Sequence, residues 1–535
     1  MEVPSESIES ASSSTKKISI QTDNGTLPIS SKKSTEKQKS WALISPNFMG
    51  ADSPAALQPT PFSTNRFSLL IGYFIYSALT ASVYFGWPGF SNMLFDSGAY
   101  AWNCNNMEKV TGARYLCESQ DSAVQRLFQI ALPSHFLTSA VAGTLIDTIG
   151  PKYTACIGQI LNFISWILLS FASSSFNVYI LAFVLMGAGA DTGFLPVLHV
   201  SNLFVGHSGF IVALMGAAAS SSFAVPTILD IIHSGGSISF QHICWGYSVV
   251  IVMALIYAAF LFPKNVFQAE ESLNVASLNQ EDSKNEPESF TGGWRTSVKS
   301  AVQQISASKK EFFTIKYLAI LLFFSFTSLV FNFWMVSGEH LLGKSANNFF
   351  GLINPISFAP TIVYGKMADV FGIGLVMAIN TGIGIVSYLS GILSYEFCKY
   401  ISAIAMVIYV SFFTSQMFCF VKDAFDPAHF GKLVGVCSAF GGVFSSISIV
   451  LYDPLTKVTL SGNFLWISAV MIILLLLNFI LVFVMHKSLK SPQLFVGKNL
   501  FPAQLSMNTA FSVDMDKNEP GDGFAVSMST ESITP

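Results

Sequence analysis

Runs of about twenty predominantly apolar residues recur along this 535-residue chain, and each is long enough to cross the ~30 Å hydrocarbon core of a bilayer as a helix. Twelve such runs fall at 67–93, 123–146, 153–172, 178–198, 209–230 and 243–262, then at 317–341, 347–368, 374–393, 400–421, 433–451 and 464–485. Only 11% of residues are charged, whereas an ordinary soluble domain carries about 25%. A chain so poor in charge cannot cover a wet surface, and lipid is the solvent that suits it. The expected fold class is an all-α polytopic membrane protein with twelve transmembrane helices in two six-helix halves. Gly, Ser, Pro and Asn inside several runs fit close helix packing or the lining of a wet cavity.

The spacing of the runs divides the chain. Residues 1–66 are rich in Ser, Thr, Lys and Pro and form an expected disordered tail without a cleavable signal peptide. Residues 67–262 and 317–486 form the two bundles, 263–316 a polar linker, and 487–535 a second disordered tail. Lys and Arg concentrate in both tails, the linker and the short loops on that side, which predicts that both termini are cytoplasmic. The net charge of −3 gives no reason to expect nucleic acid as a partner. The seven Cys show no metal spacing, and no metal or other cofactor is expected.

A short pattern is duplicated. Gly143-Thr-Leu-Ile-Asp147-Thr-Ile-Gly150-Pro-Lys152 follows the second run, and Gly365-Lys-Met-Ala-Asp369-Val-Phe-Gly372-Ile-Gly374 follows the eighth. Both read G-x-x-x-D-x-x-G at the equivalent place in their half. Glycines permit a tight turn, and an aspartate at a helix end can cap or engage a neighbouring helix N-terminus. The pair is either a gating element or a capped turn without gating role. The pattern resembles the loop signature of the major facilitator superfamily, G-x-x-x-D-x-x-G-x-[RK], with Lys152 in the terminal basic place of the first copy and Gly374 there in the second. That resemblance implies the major facilitator fold and solute transport over about residues 67–485.

A narrower likeness runs through Asn202-Leu203-Phe204, His207, Gly216-Ala217 and Ser220-Ser221, through Phe85-Gly86-Trp87-Pro88, and through Asp426-Pro-Ala-His429. These are similar to the L-type neutral amino acid facilitators of solute carrier family 43. The likeness implies a carrier of neutral, large apolar or aromatic amino acids. No Lys or Arg falls well inside a run, which favours a cargo without net charge. A zwitterion can be held by backbone groups freed where helices break, and Pro88, Pro226 and Pro360 are the candidates for such breaks.

Asp191 is the most unusual residue, a carboxylate mid-helix that is expensive to bury in a membrane. It receives a substrate ammonium or coupling proton, or else makes a structural hydrogen bond. Ser220 and Ser221, with Ser222, offer hydroxyls to a cavity or simply pack closely. Tyr84 and Trp87 gate or stack on cargo, or anchor at the interface. Asn332, Trp334 and Asn354 are further binding candidates, with helix–helix hydrogen bonding as the alternative for the asparagines. His135 is a pH-sensitive group or a satisfied core histidine. Cys104 and Cys117 share an expected outer loop and form either a disulfide or two free thiols.

Facilitative uniport of neutral amino acids by alternating access, by a monomer in the plasma membrane or a vacuolar or other endomembrane, is the leading expectation. A proton-coupled carrier of another neutral solute such as a sugar or peptide is the runner-up, and a non-transporting receptor or scaffold the third. No Ser-His-Asp order, metal-ligand cluster or phosphate-binding Gly-Lys-Ser/Thr loop suggests an enzyme.

Overall fold

The computed structural model describes residues 53–105, 113–236, 238–270, 273, 309–425 and 430–490. Most of both expected tails, most of the linker and the 426–429 motif lie outside the described residues. Residues 53–65 of the expected N-terminal tail are folded. Gln58 exchanges two hydrogen bonds with the backbone of Gln268, at 2.7 and 2.8 Å.

Among the described residues twelve rods follow one another. In the first half they are α1 (Arg66–Thr80, resuming as Trp87–Asp96), α2 (Glu118–Ile149), α3 (Pro151–Phe171), α4 (Tyr179–Phe194, continued by a 3-10 stretch Leu195–Leu203), α5 (Ser208–Ser221, resuming as Ala224–Gly236) and α6 (Phe240–Leu261). Helix Ile315–Ile353 then supplies α7 and the start of α8. The continuous stretch Ile315–Ala368 holds 54 residues. At ~1.5 Å per residue it would run ~80 Å, more than twice the bilayer core, so it must double back. It does so at Gly343, whose φ of 75° and ψ of 163° reverse the chain. The second half closes with α8 through Phe358–Phe371, α9 (Ile373–Ile392), α10 (Glu396–Ser411, resuming as Ser415–Ala424), α11 (Phe430–Ser445, ending in a π-turn Leu451–Thr459) and α12 (Phe464–Lys490).

Nine helices among the described residues are apolar and long enough to cross a membrane, the α7–α8 stretch being one of them. The exceptions are α1, which is interrupted, and α2, whose first turns carry Glu118, Gln120, Asp121, Gln125, Arg126 and Gln129. The interruptions in the runs 67–93 and 209–230 fall just before Pro88 and Pro226, two of the break candidates of the sequence, whereas the one in 400–421 has no proline beside it. Hydropathy reports apolar length and not backbone continuity. Pro88 and Pro226 each stand in the first turn after a break, where a missing N–H costs nothing, and Pro360 follows the 3-10 segment Asn354–Ser357.

Helix pairs recur six places along. The α3–α4, α3–α6 and α1–α5 contacts return as α9–α10, α9–α12 and α7–α11. The halves meet along two equivalent seams, α2 against α11 and α5 against α8. At the first seam a Cβ on Gly442 would come within 3.0 Å of Phe136 Cβ, so the bare backbone is what lets the helices approach. The outer faces stay apolar. On α12, Ile473, Leu476, Leu477, Ile480 and Phe483 form one exposed stripe at helical spacing, as a lipid-facing surface requires.

Candidate functional site

The helix breaks converge on a cavity between the halves. Its lining takes Ser82 and Phe85 from the α1 break, His135 and Phe136 from α2, Asp191 and Phe194 from α4, Ser220 and Phe223 from α5, and Phe413 and Thr414 from the α10 break. It is a narrow cavity with a volume of about 90 Å³. Broken helices leave backbone groups without intrahelical partners, and a wet or ligand-filled cavity is where a membrane protein tolerates them. The α1 and α5 breaks are joined directly, the Ser82 amide donating to Ser222 Oγ at 3.1 Å.

One ionisable pair stands in this lining. His135 Nε2 lies 3.1 Å from Asp191 Oδ1, with side chains only 3% and 11% exposed. To bond a carboxylate the Nε2 atom must carry the proton. His135 Nδ1 is buried without a partner. The imidazole is fixed by rings, Phe85 stacked on it at 5.9 Å and Phe136 edge-on at 5.2 Å. Tyr84, beside the same imidazole, is buried with its hydroxyl unpartnered. No Lys or Arg lines the cavity.

The end of the molecule that carries the 97–117 loop is bolted shut across the halves. Asp121 of α2 accepts from His340 of α7 at 3.1 Å and from Tyr452 of α11 at 2.6 Å, and it also pairs with Lys457. Lys457 reaches Glu118 at 2.8 Å. Next to Asp121 on α2, Ser122, and about one turn further Arg126, both bind Asp453, at 2.7 and 3.0 Å. Deeper in the seam Gln129 donates to Ser448 O at 3.0 Å. Burial alone would lower the Arg114 pKa, but its hydrogen bond to and charge contact with Asp96 more than offset this and raise it. Tyr115 is pushed up by burial and then by the charges of Asp121 and Glu118. Glu118, Asp121 and His340 are close enough to one another to suggest a metal site, but the Lys457 ammonium already pairs with both carboxylates and fills the space between them.

The sequence profile of the Major Facilitator Superfamily matches residues 122–415. This chain belongs to the Major Facilitator Superfamily. It is 35% identical to arginine transporter 1 of Toxoplasma gondii, the match covering 77% of this chain and 86% of that one. It is 33% identical to cationic amino acid transporter 8 of Plasmodium berghei, with the same coverage, 77% and 86%. Against the aromatic and large neutral amino acid transporter 5-3 of Toxoplasma gondii it is 29% identical, over 78% and 82% of the two chains. Among solved structures it superimposes on a proton:xylose symporter with a TM-score of 0.53 at 15% identity, covering 79% of this chain and 95% of that one. That likeness bears on the fold. The chain is thus a multi-pass membrane transporter and not an enzyme.

In this facilitator-superfamily chain the sequence candidates separate into groups. Asp191 and Ser220 line the cavity. Ser220 Oγ donates back to Gly216 O at 3.1 Å and Ser221 Oγ to Ala217 O at 3.0 Å. Trp87 is packed inside the first half, its Nε1 donating to Gln125 Oε1 at 2.7 Å. Trp334 is likewise buried against Phe350, and Asn332 ties α7 to α11 through Ser445 O at 3.2 Å. Asn354 crosses between halves, donating to Phe85 O at 2.9 Å in the α1 break. Cys104 and Cys117 are disulfide-bonded, with Cα atoms 5.7 Å apart.

The duplicated motif takes one backbone form twice. Gly150 (φ 88°, ψ 165°) and Gly372 (φ 82°, ψ 151°) each end one helix and cap the next, α2 to α3 and α8 to α9. Their amides close the preceding helices onto Ile146 O at 3.1 Å and Ala368 O at 3.0 Å. Lys152 donates its amide to Pro263 O at 3.1 Å, where the linker begins. Asp147 is exposed and feels the charge of Lys432 from the other half. Gly143 has open space around it, and Gly365 faces Ala213 across the α5–α8 seam. The Asp369 side chain lies outside the described residues.

Sequence reading passed over Asp121, Arg126, His340, Tyr452, Asp453 and Lys457. Part of the signal was present. Glu118, Ser122, Gln125 and Gln129 recur at helical spacing on an otherwise membrane-like helix, which marks a polar stripe facing something other than lipid.

Proposed function

We propose that this transporter carries amino acids by alternating access, its two bundles, 67–262 and 317–486, rocking about the cavity that holds Asp191 and His135. That cavity, closed at the loop end by the Asp121 network and lined toward the linker end by Leu195, Leu198 and Phe418, is the observation that carries the reading. Related chains named as arginine, cationic, and aromatic and large neutral amino acid transporters support the cargo class. So does the likeness of Asn202-Leu203-Phe204 and Phe85-Gly86-Trp87-Pro88 to neutral amino acid facilitators. The α-carboxylate and α-ammonium of the cargo are held by backbone groups freed at the α1, α5 and α10 breaks. With one buried ionisable pair in the lining there is no chain of groups to relay protons, and transport is facilitative.

Residues 263–316 tether the bundles on the cytoplasmic side, where the Lys and Arg excess places both termini. The chain works as a monomer in the plasma membrane or an endomembrane. Uptake of each of the twenty labelled amino acids into proteoliposomes tests the reading. Saturable, counterflow-stimulated uptake of at least one of them, unaltered by a pH gradient, is expected. A panel with no uptake above empty liposomes removes the proposal.

A further inference from the structure

Asp191 is a carboxylate with an unfinished set of partners. One oxygen is held by His135 Nε2 at 3.1 Å, and the other has no protein partner among the described residues, although the side chain is only 11% exposed. The lining supplies no Lys or Arg to neutralise it. The neutral tautomer that donates from Nε2 leaves Nδ1 bare, which agrees with its buried and unpartnered state, because a second N–H there would be an orphaned donor. The pair therefore carries one net negative charge inside a bundle lined by Phe85, Phe136, Phe194 and Phe223. An unmatched charge at such a depth is costly and is stabilised by a counter-ion that brings its own N–H donors.

On the amino acid reading above, the helix breaks hold the two charged groups common to every amino acid. The Asp191–His135 pair is an additional centre, mounted on α4 and α2. Three features favour a cargo side chain as its ligand: the single negative charge, one open acceptor oxygen, and aromatic faces suited to a delocalised cation.

Resting on the amino acid reading above, we infer that Asp191, oriented by His135, is the site that selects cargo with a basic side chain, a guanidinium or an ammonium. Asp191 pairs with the cation. His135 is a positioning residue that fixes the carboxylate rotamer and does not touch the cargo cation itself. The net neutral cargo expected from the lack of Lys and Arg in the membrane runs is then the poorer ligand. Absence of a basic residue disfavours anions, and it does not disfavour cations.

The test compares arginine with citrulline, which is nearly isosteric but carries an uncharged ureido group, in proteoliposomes containing the full chain. Wild type is expected to take up arginine with a kcat/KM about tenfold or more above that for citrulline. In Asp191→Asn this ratio falls to about one, and Asp191→Glu restores part of the preference. His135→Gln, which keeps an N–H donor, retains the preference, and His135→Leu loses most of it. A wild-type ratio near one overturns the inference without any variant, and so does an equal loss of both cargoes in Asp191→Asn. Wild-type protein that moves neutral amino acids and no basic ones also overturns it, yet leaves amino acid transport standing. Protein that moves no amino acid removes the broader reading instead.

Discussion

His340 on α7 hydrogen-bonds Asp121 on α2 at 3.1 Å, joining residues of opposite halves that are 219 apart in sequence. Tyr452 and Lys457 of the α11 end converge on the same carboxylate, which is 1% exposed. A buried charge satisfied by three donors from one rigid body is a strong tie only while that body stays in place. When the bodies separate at this end, water replaces all three donors together. The cluster therefore weights the balance between the two states of the transporter.

Removing the charge should shift that balance. Asp121→Asn loses hydrogen bonds from charged and polar donors, worth about 1.5–3 kcal/mol in total, or about a tenfold to hundredfold change in the equilibrium at ~1.4 kcal/mol per decade. A cysteine at Ser448, buried on α11 beneath the cluster, reports it in a background without Cys156, Cys244, Cys398, Cys419 and Cys437. Modification by an impermeant thiol reagent from the loop side should accelerate about tenfold in Asp121→Asn. An unchanged rate would mean that the cluster does not hold this end closed.

The two copies of the duplicated motif should respond unequally to the same substitution. Gly150 and Gly372 share a left-handed backbone, so alanine at either is strained by about 1–2 kcal/mol. At Gly150 the new Cβ would also fall 1.9 Å from Lys264 O, whereas at Gly372 it meets open space. Gly150→Ala should lower the Tm of the detergent-solubilised protein clearly more than Gly372→Ala. Equal shifts would show that the contact with the start of the linker adds nothing beyond backbone strain.

The shared φ of Gly150 and Gly372 was legible in the sequence, because a G-x-x-x-D-x-x-G spacing demands a turn in both halves. Asp191 was legible too, as a carboxylate in the middle of an apolar run. The break at 81–86 was signalled by Pro88, which follows it, but the one at 412–414 was not, since Phe412 and Phe413 are as hydrophobic as residues in a continuous helix. Trp87 and Trp334 looked like cavity residues and are packed within their own halves, because residue type does not reveal which face of a helix turns inward. The Asp121 cluster was hidden for a different reason. Lys457 is one loop cation among several until the fold carries it across more than three hundred residues to Asp121.

Reduction of the Cys104–Cys117 bridge should cost stability and spare the cavity. The two residues are 13 apart, and closing so short a loop is worth about 3 kcal/mol at most through the unfolded chain. Cys104→Ser with Cys117→Ser should lower the Tm by a few degrees and leave the KM for the transported amino acid within about twofold. A loss of substrate affinity much beyond that would tie the loop to the binding site.

Paired spin-label distances test the rocking of the halves most directly. One pair, Ser119 with Ser461, spans the loop end, and a second, Thr148 with Val370, spans the linker end, all four positions being exposed. Adding a transported amino acid should lengthen one interhalf distance in part of the population while shortening the other. Distances that lengthen together, or that ignore every amino acid the protein transports, would contradict alternating access around the Asp191 cavity.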